Sequence, residues 1–165
     1  MTAFFSLRTA SAFLALGLLG VSSLPARADQ EAIAALLAVG PEGAGNAAAS
    51  EASQTLNKAE PETILPLLTA MADASPISRN WLRAAVEALY NEHRDSDGAL
   101  PASELQAFVV DRENHPMARD LAFDLFRKLD QDAAVAMIPA MATDPSPVLR
   151  REAVAQLVET GANLI

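Results

Sequence analysis

Three copies of a seven-residue frame restrict the folds that this chain can adopt. The frame has an acid at its first position, a proline at its fourth and an arginine at its seventh, and it occupies residues 73–79, 113–119 and 144–150. Successive arginines are 40 and 31 residues apart, and a period of about 20–50 residues is typical of proteins built from repeated supersecondary units. A weaker unit precedes these three, with Asn46 at the arginine position. The sequence therefore predicts about four repeats.

The proline of each frame predicts the start of a helix. Proline is tolerated at the first helical position, and Ser75 or Ser146 directly before it can accept hydrogen bonds from the N–H groups of the first turn. Apolar side chains at helical spacing lie behind each proline and also in front of each frame. The stripes behind the prolines contain Leu82, Ala85, Val86 and Leu89, then Leu121, Ala122, Leu125, Phe126 and Leu129, then Ala153, Val154, Leu157 and Val158. The stripes in front contain Ile64, Leu65, Leu68 and Met71, then Leu105, Phe108 and Val109, then Ala134, Met137, Ile138 and Met141.

These paired stripes predict an all-α fold. Aromatic residues make up only 5% of the chain, and the alternating β-branched and aromatic runs that mark strands are not found. Neither helix of a pair can bury its stripe alone, so successive pairs are expected to stack into a continuous core. We expect about four antiparallel helix pairs in a solenoid, with repeats at about 29–58, 59–92, 99–130 and 131–160.

The frame resembles the turn between the two helices of a HEAT repeat. In that family an aspartate and an arginine near the start of the second helix form a ladder from repeat to repeat, and Asp144, Arg150 and Ala153 are similar to this pattern. The resemblance covers about residues 29–160 and implies a right-handed α-solenoid. It implies a structural ladder that contains Asp73, Arg79, Glu113, Arg119, Asp144 and Arg150. Each arginine is expected to be occupied by the acid of its own frame; the alternative is that the arginines bind an acidic ligand.

The first unit departs from the frame, because Gly40 and Asn46 stand where the charged pair is expected. We therefore predict that this unit is a terminal cap, which need not continue the ladder. The glycine-rich residues 40–45 follow an alanine-rich helix and are not followed by a lysine. They are predicted to stop a helix and form a turn, not to cradle a phosphate.

The N-terminal 28 residues have the pattern of a secretory signal peptide. Arg8 is followed by an apolar run over residues 10–24, and small residues, Ala26 and Ala28, precede the predicted cleavage point. We expect a signal-peptide helix, cleavage after Ala28, and a periplasmic or secreted protein without a stable membrane span. The alternative is an uncleaved membrane anchor.

Charge and cysteine content limit the function further. The chain carries a formal net charge of −9, and removal of Arg8 and Arg27 with the signal peptide leaves 10 basic and 21 acidic residues, a formal charge of −11. Such a field repels phosphate backbones and anionic lipid, so nucleic-acid binding is not expected. The absence of cysteine excludes disulfides, a thiolate nucleophile and cysteine metal sites.

An inserted acidic loop at residues 91–100 accounts for the longer interval between repeats. Residues 93–104 resemble an EF-hand calcium loop, with acids at loop positions three and five, glycine at six and glutamate at twelve. The candidate calcium ligands are Asp95, Asp97 and Glu104, whereas His93 at position one offers nitrogen in place of oxygen. The alternative is an Asp-Gly turn followed by a helix that begins at Pro101. No other cofactor is predicted.

No catalytic constellation is recognisable in the chain. His93 and His115 lie in predicted turns without metal-ligand spacing, so a capping or solvated role is expected. Trp81 is expected to pack in the core, with an exposed partner anchor as the alternative. We therefore predict a non-catalytic protein–protein interaction scaffold and not an enzyme.

The second helices of the pairs are expected to line the binding surface of this scaffold. Away from their apolar stripes they carry a mixed, mainly acidic set of side chains that suits a basic protein or peptide: Asn80, Arg83, Glu87, Asp120, Asp124, Arg127, Arg151 and Glu152. The candidate partner surface consists of Trp81, Arg83, Glu87, Asp124 and Arg127.

Two alternatives remain: a calcium-responsive scaffold, and an accessory domain of a larger enzyme, by analogy with HEAT-like chromophore lyases. The apolar residues after Gly161 are expected either to bury themselves against another copy of the chain or to continue into a longer protein.

Overall fold

The computed structural model describes residues 27–96 and 100–159. Within these two ranges the chain forms eight α-helices and two 3-10 turns and contains no strand, which confirms the predicted all-α fold. The helices are α1 (Arg27–Leu37), α2 (Asn46–Leu56), α3 (Ile64–Ala70), α4 (Pro76–His93), α5 (Ala102–Val110), α6 (Pro116–Leu129), α7 (Gln131–Met141) and α8 (Pro147–Glu159). The predicted signal-peptide core, Asp97 and the segment after Gly161 lie outside the described residues.

The three frame prolines begin α4, α6 and α8, as the sequence predicts. The Ser75 hydroxyl accepts a hydrogen bond from the Ser78 N–H at 3.1 Å and so caps α4. The Nδ1 atom of His115 takes the same role for α6, where it accepts from the Met117 N–H at 3.1 Å. Helix α5 begins at Ala102, one residue later than predicted.

Ser146 precedes α8 but does not cap it through its side chain. Its Oγ is buried and has no hydrogen-bond partner among the described residues, while its N–H donates to Asp144 Oδ1 at 2.8 Å. A buried hydroxyl without a partner carries the cost of its lost hydration and gains nothing in return. The serines before α4 and α8 therefore contribute differently to stability, although they occupy equivalent positions in the frame.

Alanine substitutions at these two serines are expected to separate the two cases. Ser75→Ala removes a capping bond and should lower the free energy of unfolding by about 1 kcal/mol. Ser146→Ala should leave it unchanged within about 0.5 kcal/mol or raise it slightly. Urea unfolding followed by circular dichroism measures both. An equal loss in the two variants would mean that Ser146 finds a hydrogen-bond partner in solution.

The helices pack in sequential pairs, α1 with α2, α3 with α4, α5 with α6 and α7 with α8. Contacts of α1 with α4, of α3 with α6 and of α6 with α8 join each pair to the next. All eight helices contribute to one hydrophobic core. Helix α6 packs against α3, α5, α7 and α8, so it is the central element of the second half of the fold.

Most residues of the predicted apolar stripes are buried. The half-buried members still pack against the core (Leu65, Phe108, Leu129 and Met137), whereas two residues on α8 are exposed. Val154 and Val158 are 43% and 75% exposed, because α8 packs chiefly on α6 and α7 and buries only the narrow row of Leu149, Ala153 and Leu157. Conversely, Phe123 lies outside the predicted stripe of α6 and is fully buried. A helix with four neighbours buries more than one face, and this number of neighbours is not encoded in the periodicity of a single helix.

The glycine-rich residues form the turn between α1 and α2, as predicted. Gly45 has φ 82°, and a Cβ atom there would lie 3.3 Å from the Ala38 carbonyl oxygen. The first unit is also tied to the second through the buried Ser78, whose hydroxyl lies 3.0 Å from Leu37 O and 3.1 Å from Val39 O. These bonds fix the start of α4 against the end of α1.

In the part of the chain that the structure describes, no helix has both the length and the apolar character required to cross a bilayer.

Candidate functional site

The frame arginines close the turns between the helices of each pair. In all three, the guanidinium donates to backbone carbonyls at the end of the preceding helix or in the turn behind it. The shortest such bonds run from Arg79 Nη2 to Ala74 O (2.9 Å), from Arg119 Nε to Val109 O (2.7 Å) and from Arg150 Nη1 to Asp144 O (2.6 Å). Helix C-termini leave carbonyls without partners and favour cations, so Arg79, through Met71 O, and Arg119, through Val109 O, cap the helices before them. Arg150 contacts only carbonyls of the turn before α8.

The prediction that each arginine is occupied by the acid of its own frame is wrong. Asp73 and Glu113 are exposed and form no ion pair with an arginine among the described residues. Arg150 binds the backbone oxygen of Asp144 and not its carboxylate. The physical reason is competition: backbone carbonyls, and for Arg119 also the carboxylate of Asp144, already occupy the guanidinium groups, while the exposed acids remain hydrated.

One ion pair of the predicted ladder forms, and it runs between units. Arg119 donates from Nη1 to Asp144 Oδ1 at 3.1 Å and from Nη2 to Asp144 Oδ2 at 2.7 Å. The two side chains are 3% and 6% exposed. The hydrogen bond from Arg119 is the main cause that lowers the pKa of Asp144, against the opposing effect of burial.

The corresponding residues of the preceding units, Arg79 and Glu113, do not form such a pair. Arg79 lies near His115, and the pKa of His115 is lowered first by burial and then by the charge of Arg79. The residues of the predicted ladder thus include one buried bidentate pair, Arg119 with Asp144, which is closed to any acidic ligand.

The predicted calcium ligands do not converge within the described residues. Asp95 is exposed and lies 3.6 Å from Arg94 Nε, and the exposed Glu104 accepts a hydrogen bond from the Ser103 hydroxyl at 2.9 Å. His93 Nε2 lies 3.0 Å from the Ala59 carbonyl oxygen and ties the end of α4 to the turn before α3. Asp97 lies outside the described residues. Over residues 27–96 and 100–159, no group of three metal-ligating side chains is found, and calcium binding stays a prediction.

Charged side chains from α4, α6 and α8 meet on one partly exposed surface, which we call the charged face. Four of the five predicted partner-surface residues belong to it, whereas Trp81 is half-buried and packs against the core. The members of the charged face are Arg83 and Glu87 of α4, Asp120, Asp124 and Arg127 of α6, and Arg151 and Glu152 of α8. The sequence pattern had placed all of these opposite the apolar stripes.

Two of the arginines in the charged face are engaged within it. Arg83 Nε lies 2.9 Å from Glu87 Oε1 along α4. Arg127 lies 3.2 Å from Asp124 Oδ1 and 3.6 Å from Glu152 Oε1, and so links α6 to α8. These pairs are between about a quarter and a half exposed, so each contributes little to stability. They do fix the positions of the charges.

Asp120 lies among these charges without a direct partner. It is half-buried, and the described residues provide it with no hydrogen bond and no ion pair. Burial raises the pKa of its carboxyl, and the neighbouring Asp124 and Glu152 raise it further, against the opposing charges of Arg83 and Arg151. The helical spacing of the sequence predicts that Asp120 lies on this face. Its lack of a partner could not be predicted, because it depends on the distances between three helices.

Two further features lie outside the charged face. Lys128 Nζ lies 5.3 Å from the centre of the Tyr90 ring, a cation–π contact between α6 and α4 that the sequence did not suggest. An open, polar groove beside α1 and α2 is lined by Asp29, Glu51, Gln54, Thr55 and Lys58. This set contains carboxylates and a lysine but no nucleophile with an adjacent base.

Comparison with known proteins gives no relative from which a function could be inferred. No family model matches the chain, and neither the search of curated proteins nor that of solved structures found a similar protein.

Proposed function

We propose that this protein is an exported, non-catalytic scaffold that binds a basic protein or peptide through the charged face. The observation that supports this best is the meeting of charged side chains from α4, α6 and α8 on a single accessible surface. Four carboxylates and three arginines lie there, on a chain with a net charge of −9. A surface of this kind attracts cationic partners and repels anionic ones.

The proposed scaffold is a right-handed α-solenoid of the HEAT type. The frame prolines that start α4, α6 and α8 support this architecture, as does the Arg119–Asp144 pair, which joins the frame of one unit to the frame of the next. Helix pairs that stack in this way place their second helices side by side along one surface. Residues 1–28 are proposed to be the export signal, which puts the scaffold outside the cytoplasm.

Peptide binding with matched variants tests the function. Three helical peptides of equal length and of negative, zero and positive net charge are titrated against the protein by fluorescence anisotropy at two salt concentrations. We expect only the positive peptide to bind, and to bind more weakly at higher salt. The double variant Asp124→Asn/Glu152→Gln should weaken this binding about tenfold.

The control is the double variant Glu51→Gln/Glu62→Gln, which removes the same charge from exposed positions outside the charged face. We expect it to change the affinity less than about twofold. Equal losses in both variants would show that only the total charge matters. No binding of the positive peptide would refute the proposed function altogether.

A further inference from the structure

We propose that Asp120 selects the partner by receiving an arginine side chain from the basic peptide that docks on the charged face. This inference rests on the proposed function and identifies the position where recognition occurs. It also names the chemical group that is recognised, a planar guanidinium.

Most charged groups of the charged face are already paired with one another. Arg83 is held by Glu87, and Arg127 is held by Asp124 and Glu152. Among the described residues Asp120 alone of the four carboxylates in this face forms neither a hydrogen bond nor an ion pair. A half-buried carboxylate in this state has lost part of its hydration without a direct contact in return, and Arg83 and Arg151 act on it only through their charge. A cation brought by a partner therefore gains more there than at an exposed carboxylate that is already paired.

The carboxylates of Asp120 and Asp124 suit a flat cation with several N–H donors. Asp120 and Asp124 are four residues apart on α6 and thus lie on the same side of that helix. Arg127 contacts one oxygen of Asp124, Oδ1. The flat fork of a guanidinium can donate to two carboxylates at once, whereas the ammonium group of lysine is a compact point charge. The arrangement thus favours arginine over lysine.

Binding of a cation at Asp120 is coupled to the release of a proton. The groups that face Asp120 are Asp124 on its own helix, Arg151 and Glu152 on α8, and Arg83 on α4. Burial and the two carboxylates raise the pKa of Asp120 above its ordinary value. Pairing with a cation favours the ionised form, so binding at a pH near this raised value releases a proton. The affinity for an arginine peptide should therefore increase as Asp120 ionises.

The experiment compares one arginine-rich peptide with its lysine counterpart between pH 4 and pH 7.5. The proteins are the unmodified chain, Asp120→Asn and the control Glu87→Gln, which removes a paired carboxylate from the same face. At pH 7 we expect Asp120→Asn to weaken binding of the arginine peptide about tenfold and Glu87→Gln about twofold. The preference for arginine and most of the pH dependence should disappear only in Asp120→Asn.

A loss of stability would not explain weaker binding by Asp120→Asn. Asp120→Asn removes an unpaired, half-buried charge and should unfold at the same or a higher urea concentration than the unmodified protein at pH 7. An NMR titration of the Asp120 carboxyl provides a second measurement, with a lower pKa expected when the arginine peptide is bound. If Asp120→Asn behaves like Glu87→Gln while the peptide still binds the charged face, the proposed role of Asp120 is wrong and the proposed function survives. If no basic peptide binds the unmodified protein, both fail.

Discussion

Asp144→Asn is expected to lower the free energy of unfolding by about 3–5 kcal/mol. The substitution leaves the guanidinium of Arg119 buried without its counter-charge, in a position where its side chain is only 3% exposed. Removing one partner of a buried pair costs more than the pair itself contributes, because the remaining charge keeps its desolvation penalty. Urea unfolding at pH 7 measures the loss.

The double variant Arg119→Met/Asp144→Asn distinguishes the value of the pair from the cost of an orphaned charge. It removes both charges, so we expect it to be more stable than Asp144→Asn alone, with a coupling energy of about 1–3 kcal/mol in the double-mutant cycle. Arg150→Met is the control, since Arg150 is exposed and contacts only backbone carbonyls. Its loss should be about 0.5–1.5 kcal/mol. Additive effects at Arg119 and Asp144 would show that the pair does not couple the two units.

Lowering the pH should reduce the difference between the unmodified protein and Asp144→Asn. The Arg119 hydrogen bonds lower the pKa of Asp144 in the folded state, whereas the unfolded carboxyl titrates near its ordinary value of about 3.9. As the pH falls, the carboxyl of Asp144 takes up its proton in the unfolded chain before it does so in the folded protein. Its contribution to the free energy of unfolding is therefore complete above the unfolded-state pKa and is lost as the pH falls towards the lower folded-state pKa. Because the pKa of His115 is lowered in the folded state, the free energy of unfolding also declines in both proteins as the pH falls below about 6.5. This decline is the same in both proteins and does not affect their difference.

The helix starts could be predicted because they depend on only a few neighbouring residues. Pro76, Pro116 and Pro147 fix the backbone locally, and the residues before the first two, Ser75 and His115, cap the helices that follow. The targets of the arginines could not be predicted in the same way. Whether Arg119 meets the acid of its own frame or that of the next depends on how two units abut, and no spacing within one frame contains that information.

The charged face was predictable in its members but not in its internal pairing. The 3.6-residue period of a helix identifies the positions opposite each apolar stripe. Arg83, Asp120 and Glu152 occupy such positions on α4, α6 and α8. The ion pair between Arg127 and Glu152 joins two helices, and the isolation of Asp120 results from such pairs. The prediction of buried residues was limited in the same way. Phe123 is buried and Val158 is exposed, contrary to the predicted stripes, because periodicity does not reveal how many neighbours a helix has.

Phe123→Ala is expected to lower the free energy of unfolding by about 3–5 kcal/mol, the second large effect that the structure predicts. Phe123 is fully buried on α6, the helix that packs against α3, α5, α7 and α8. Loss of the ring removes apolar surface from the core and leaves a cavity that the surrounding side chains can close only in part. Phe123→Leu keeps most of the volume and should cost less than about 1.5 kcal/mol.

Phe108→Ala is the matched control, because it makes the same chemical change at a half-buried position on α5. We expect it to cost clearly less than Phe123→Ala, since less apolar surface is removed from the core. Because α6 joins the third helix pair to the second and the fourth, Phe123→Ala should shift one cooperative transition, with circular dichroism and Trp81 fluorescence changing together. If the fluorescence of Trp81 on α4 kept its original midpoint while the helical signal fell early, the pairs would unfold separately, and the central role assigned to α6 would be wrong.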